Sequence, residues 1–487
     1  MPGLSTCVDA FRYGAVEGCQ AYFLSHFHSD HYIGLTASWC HGPIFASKVT
    51  TNLIKQQLRV DPKWVVALEW EKKTEVPNTN GVFVTMISAN HCPGSSLFLF
   101  EKVVGKGTNP KVQRILHCGD FRACKAHIQH PLLMPDVIDA ISGKQKQQKL
   151  DVCYLDTTYL NPKYAFPSQE DVIKACSDMC VSLSKVSVDE DDGWEQMKRN
   201  RAGAGMVKFI RQGSTASVKK EEPVEDDNTN EDISNDNEGV DIKTEPALDN
   251  DIDNNNNSTV KCEDDSVDTK PLASIKEARA RGRLLVVVGT YSIGKERICI
   301  GIANALQSKI YCPPNKKRIC LALEDPEIIS RLTDDPRAAQ VHMTPLFEIR
   351  ADTLDDYLKD YRDTFSRAVG FRPTGWSYRP PNSRFVESPS VQTVLHSDNW
   401  KSSYGMKDLV PQRGSTGRAS CFGVPYSEHS SFRELTMFCT ALRIEKIVPT
   451  VNVGSAKGRE RMKAWCDKWA VERKKNGVFK LLEGEKW

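Results

Sequence analysis

The chain has 487 residues, 40% of them hydrophobic, and a formal charge of +2 at pH 7. No apolar run approaches the roughly 20 residues of a membrane span, and Met1 to Phe11 lacks a signal-peptide layout, so a soluble intracellular protein of two or three domains is expected. The 16 cysteines are scattered with no CxxC pair, which excludes a zinc ribbon or thioredoxin motif and points to reduced, mostly buried thiols.

Asp9 comes first, either as a turn residue or as a carboxylate that orients a neighbouring ligand. Ala21 to Ser25 reads as a buried strand delivering His26-Phe27-His28-Ser29-Asp30-His31. Three imidazoles and a carboxylate in six residues suit a divalent metal, and zinc prefers these ligands in catalytic sites. Ser47 to Leu58 has helical spacing. The strand Gly81 to Ile87 leads to His91, and Leu97 to Phe100 is a short strand followed by a hairpin turn over Lys102 to Lys111. Arg114 to Cys118 runs into Asp120, and Leu150 to Leu155 into Asp156. Four strands each deliver a His or an Asp at one edge, which is how a sheet assembles one site from distant sequence. His26, His28 and His91 are expected to hold one zinc ion and Asp30 and His31 a second, with Asp120 bridging; one or two ions fit the pattern.

Beyond Asp156, Gln169 to Leu183 has helical character. From Lys219 to Lys270 there are 18 acidic residues against 5 lysines, a local charge of −13 that leaves +15 on the rest of the chain. This stretch has few large apolar residues and is expected to be disordered, within an insert over about 186–272. The basic remainder suggests a polyanion partner, nucleic acid being the commonest. Lys219, Lys243 and Lys261 each sit in a ΨKxE pattern for SUMO attachment. Leu284 to Val288 is a buried strand, followed by a helix from about Glu296 to Leu306, a strand over Ser308 to Tyr311, and short helices over Pro326 to Leu332 and Leu354 to Tyr361. Arg372 and Trp376 form a basic and aromatic pairing that either stacks on single-stranded bases or packs in a core. Cys421 to Val424 is a strand, Ser427 to Ser430 a loop carrying His429, Phe432 to Leu442 a helix and Lys446 to Val453 a closing strand before a basic helix ending near Lys475.

HFHSDH, the ANHCPG His, the GDFR Asp and the LDTTY Asp, with PTGW and SEHSSF further on, resemble the DNA cross-link repair nucleases of the β-CASP branch of the metallo-β-lactamase fold, which includes Artemis. The stretch from Val8 to Gly34 is most similar to the cross-link repair A type, whose yeast relatives are 5′ exonucleases. The resemblance implies an αβ/βα sandwich, with a first part over 1–157, an inserted β-CASP cap over 158–418 and a second part over 419–487. Asp9 matches the family's first motif, His26, His28, Asp30 and His31 the second, His91 the third and Asp120 the fourth. Asp156 and His429 match the first two cap-region motifs. Asp30, Asp120, Asp156 and His429 are then the catalytic set, with Asp156 orienting water or a ligand and His429 closing the second metal site. Val451 stands at the third cap-region position, where DNA-acting members have Val and RNA-acting members tend to have His. The implied function is a nuclear, zinc-dependent 5′ to 3′ DNA exonuclease in interstrand cross-link repair. An Artemis-like endonuclease and a non-catalytic DNA-binding scaffold are the alternatives. No ubiquitin-binding zinc finger precedes the first motif, so recruitment through one is not expected.

Gly289 to Lys295 follows a strand, opens a helix and nearly matches GxxxxGK[ST]. Glu296 stands where a hydroxyl would hold magnesium, which argues against ATP hydrolysis. Backbone N–H groups at a helix start and a lysine still make an anion site, so Ser292, Gly294 and Lys295 are expected to bind the 5′-phosphate of a DNA end.

Overall fold

The apolar alternation of Ser96–Val104 sets the first two layers of the computed structural model. Phe98 and Phe100 face one way and Leu97 and Leu99 the other, and all four are buried. The phenylalanines meet a four-stranded parallel sheet of Thr6–Val8, Ala21–Phe23, Ile44–Ser47 and Val65–Leu68. Phe23 stacks on Phe45 at 5.1 Å and meets Phe100 edge-on at 4.9 Å. The leucines pack with Leu116, Leu155 and the helices Phe432–Ala441 and Ala456–Asn476, through Phe432, Trp465 and Trp469. The sheet between these layers has six strands in the order Ile444–Pro449, Leu150–Leu155, Lys111–His117, Ser96–Val104, Val82–Ser88, Thr74–Glu75. The outer face of the first sheet packs Ile44 and Ala46 on Leu53 and Ile54 of the helix Lys48–Gln57. Helix, sheet, sheet and helix therefore stack as the αβ/βα sandwich expected.

A third sheet has six parallel strands in the order Leu332–Thr333, Lys309–Tyr311, Ala339–Pro345, Leu284–Thr290, Arg367–Pro373, Ala419–Val424. Its central strand is apolar on both faces because helices cover both. Leu284, Val286 and Val288 pack with Ile298 and Val172, while Leu285 and Val287 pack with Leu354 and Leu358. The expected return to the first domain at 419 is displaced here. Ala419–Val424 pairs in parallel with Arg367–Pro373 through six residues, so it belongs to the third sheet, and the chain returns only after Val424. A short, mostly buried strand of small and apolar residues fits either sheet, so its sequence does not choose.

The structure describes residues 1, 3–105, 110–138, 143–186, 192–201, 281–378, 380, 388–482, 484 and 487. The acidic stretch with its three ΨKxE lysines and the tip of the Lys102–Lys111 turn lie outside them. Fifteen cysteines are described, all as free thiols and most of them buried.

His342 is fully buried in Ala339–Pro345, donating from Nε2 to Pro336 O at 2.7 Å and accepting at Nδ1 from the Tyr357 hydroxyl at 2.9 Å. Burial brings its pKa down from 6.5 to about 4, against the pull of the Pro336 and Ala339 carbonyls. Between those values the unfolded chain binds the extra proton, so stability falls as the pH drops. From pH 7 to pH 5 this residue is expected to cost about 2 kcal/mol. Denaturant unfolding at the two pH values checks it, since His342→Gln should shrink the pH dependence by that amount.

Candidate metal centre

The strand leading to His26-Phe27-His28-Ser29-Asp30-His31 ends at Phe23, earlier than expected, because Ser25 N–H leaves the ladder and donates to Asp9 Oδ1 at 2.8 Å. Ser25 Oγ donates to Asp9 Oδ2 at 2.6 Å and lies 2.9 Å from His26 Nδ1. His28 then caps a single helical turn, Ser29–Tyr32, which folds Asp30 and His31 back toward His26. Asp9 Oδ2 also takes His31 Nδ1–H at 2.8 Å, so Asp9 ties His31 to Ser25. His91 sits past the end of Val82–Ser88 in a turn closed by its own N–H to Ser95 Oγ. Gly119, at φ 54°, lets the end of Lys111–His117 pass close to Ser25, where a Cβ would meet Ser25 Cβ at 2.6 Å. That close approach brings Asp120 Oδ2 to 3.1 Å from His31 Nε2. Asp156 follows Leu150–Leu155, with Oδ1 accepting from Thr158 N–H and Oγ–H and Oδ2 accepting from His429 Nδ1–H at 2.8 Å. The His429 loop is held by Arg122, which donates to Ser427 O and Glu434 Oε1.

Five imidazoles thus have one nitrogen occupied. Nδ1 of His26, His31, His91 and His429 faces Ser25 Oγ, Asp9, Glu428 O and Asp156 respectively, and His28 Nε2 faces Ile293 O at 3.0 Å. With those nitrogens protonated and burial keeping the rings neutral, the remaining nitrogens of His26, His28 and His91 carry lone pairs. His28 Nδ1 lies 2.9 Å from His26 Nε2 and 3.2 Å from His91 Nε2, and His26 Nε2 lies 3.7 Å from Asp120 Oδ2. Lone pairs facing one another at these distances repel unless a cation lies among them. A tetrahedron with zinc–nitrogen bonds of 2.0–2.1 Å has edges of about 3.3 Å, which these distances bracket. The donor set therefore fits a divalent ion. Among the described residues, three groups of potential ligands converge: His26, His28, His91 and Asp120; Asp30, His31 and Asp120; Asp120, Asp156 and His429. Asp120 belongs to all three.

Burial lowers the pKa of His26 well below its usual value and that of His91 to about 3, helped by the neighbouring imidazoles, so both stay neutral. Burial also opposes charge on His31 and His429, but carboxylates outweigh it. Asp120 and Asp9 raise His31 well above the usual range, and Asp156 raises His429 to about 9. The carboxylates thus draw positive charge onto this half of the centre, the demand a divalent ion answers. Asp30, its side chain 70% exposed, stands at the open rim.

The loop expected to take a 5′-phosphate already holds an anion of the chain itself. Lys295 is 4% exposed, with Nζ 3.0 Å from Glu428 Oε2 and its N–H donating to Glu428 Oε1 at 2.7 Å. Gly294 N–H donates to Glu296 Oε1, and Ser292 O accepts from Lys316 Nζ at 3.0 Å. Burial works against the Glu428 charge, but Lys295 brings its pKa down to about 2. The 5′-phosphate assignment is therefore revised: the loop clamps Glu428 and, through Ile293 O, His28. Glu428, Ser25 and Arg122 were not singled out in the sequence. Glu428 directly precedes His429, but nothing local announces a partner 133 residues away.

Residues 326–455 match the family model described as DNA repair metallo-beta-lactamase. The chain is 38% identical to the DNA cross-link repair protein pso2/snm1 of Schizosaccharomyces pombe, over 97% of its own length and 64% of that protein. It is 33% identical to the DNA cross-link repair protein SNM1 of Arabidopsis thaliana, over 96% and 68% of the two chains. The chain belongs to the SNM1 DNA cross-link repair family. A more distant match is the 5′ exonuclease Apollo of Gallus gallus, 24% identical over 93% of this chain and 63% of that protein. The chain thus spans about two thirds of the length of these relatives. Within this SNM1 family chain, the matched model covers His429, Trp376 and Val451, while His26, His28, Asp30, His31, His91 and Asp120 lie outside it.

Proposed function

We propose that this chain is a zinc-dependent nuclease that degrades DNA from 5′ ends during interstrand cross-link repair in the nucleus. The observation that carries the reading is the set of five imidazoles, each pinned at one nitrogen and gathered around Asp120. The kinship with proteins named for cross-link repair and with one named a 5′ exonuclease supports the DNA substrate and the polarity. His26 Nε2, His28 Nδ1, His91 Nε2 and Asp120 would hold one ion, and Asp30, His31, Asp120 and His429 a second. When bound, such ions supply Lewis acidity toward a phosphodiester and acidify water near neutral pH. Asp9 holds His31 and Ser25 in place, and Asp156 holds His429, so each acts by positioning its histidine. Asp30 at the rim leaves the centre open on the side a strand of DNA would enter.

Purified protein with zinc, given single-stranded DNA labelled at the 3′ end, should produce a ladder shortening from the 5′ end. Internal cuts would move the reading to an Artemis-like endonuclease, and intact DNA at every zinc concentration would remove it.

A further inference from the structure

An exposed aromatic residue beside the centre has no part in the chemistry above. Trp376 lies in the short turn Gly375–Ser377 after the strand Arg367–Pro373 and is 59% exposed. A large indole held at a surface is informative when its position is built and not incidental. Here it is built. Thr374 N–H joins the turn to Val424 O at 3.0 Å, and Thr374 Oγ1 accepts from Trp376 N–H at 3.3 Å. Gly375 allows the turn to press on Tyr159, since a Cβ there would lie 2.6 Å from the Tyr159 hydroxyl. The Trp376 ring packs on Tyr159 at 5.0 Å, tilted by 56°, and meets Tyr164 edge-on at 5.8 Å. Tyr159 is buried, and its ring lies 5.9 Å from that of His429. A continuous aromatic path therefore runs from a candidate metal ligand outward to an exposed indole two ring contacts away.

Resting on the nuclease reading, we propose that Trp376 is a stacking platform for a nucleobase of the single strand, within a few nucleotides of the diester at the metal centre. Stacking tolerates any base, because every base has a π-face, and it suits an enzyme that must process arbitrary sequence. The backing by Tyr159 and Tyr164 fixes the ring before DNA arrives, so little side-chain freedom is lost on binding. Trp376 acts on substrate placement and not on the reacting atoms.

The test is equilibrium binding of a short single strand with phosphorothioate linkages, which limits cutting, to the zinc-loaded protein, read by fluorescence anisotropy. Trp376→Ala should weaken binding by roughly tenfold to a hundredfold, and Trp376→Phe should recover most of it. One abasic residue is moved through the first four positions from the 5′ end. At one position the unaltered protein should lose a similar factor, and Trp376→Ala should lose nothing more. Unchanged affinity in Trp376→Ala, the same added loss in both proteins at every abasic position, or no DNA binding at all would overturn the platform. The nuclease reading fails separately, on intact natural-backbone DNA.

Discussion

Asp120→Ala is expected to end the proposed DNA cleavage and to lower the metal content of the purified protein. Asp120 is common to all three convergent ligand groups, and its Oδ2 lies 3.1 Å from His31 Nε2 and 3.7 Å from His26 Nε2. Burial alone would favour the neutral acid, yet His31, His429 and His26 hold it ionised, so its pKa lies well below the usual carboxylate range. Removing it takes one ligand from each group and leaves His31 without one of the two carboxylates that support its charge. Losing a partner that merely orients a ligand costs roughly 10–100-fold, so loss of the shared ligand should exceed that. Asp9→Ala, which frees His31 and Ser25 but removes no ligand, should fall within that range. Metal analysis and single-turnover cleavage of the two variants check the order. Asp120→Ala protein that cuts within tenfold of the unaltered chain would contradict the shared position.

Glu428→Leu is expected to destabilise the protein by about 3–5 kcal/mol, the usual cost of leaving a buried charge without its partner. Lys295 and Glu428 are 4% and 5% exposed and meet at 3.0 Å. Lys295→Met should cost a similar amount, because it strands the Glu428 carboxylate. The double variant should lose clearly less than the sum, since a buried pair replaced by apolar side chains is often nearly neutral. Urea unfolding of the four proteins measures this directly. The same pair decides between clamp and phosphate pocket. If Lys295 serves the clamp, Lys295→Met slows cutting of 5′-phosphate and 5′-hydroxyl strands by one common factor. A loss confined to the 5′-phosphate strand would restore the pocket.

The candidate ligands were legible in the sequence because each follows a short apolar strand, and the end of a strand is a local property. HFHSDH, Ala89 to Gly94, Gly119-Asp120 and Asp156 carry that signal within a few residues, and the structure brings all of them together. The αβ/βα layering was legible for a similar reason, through the alternation that faces Phe98 and Phe100 away from Leu97 and Leu99. What the sequence did not contain is choice among distant partners. The apolar strand Ala419–Val424 joins the third sheet by pairing with Arg367–Pro373, and its composition suits any buried sheet. Lys295 reads as an exposed phosphate ligand until Glu428 arrives from 133 residues away and takes its charge. Trp376 reads equally as core or surface until Gly375 seats its turn against Tyr159. Periodicity and strand-end chemistry are written in neighbouring residues. The partner of a charge, the sheet of a strand and the exposure of a ring are set by contacts between remote segments, which exist only once the chain has packed.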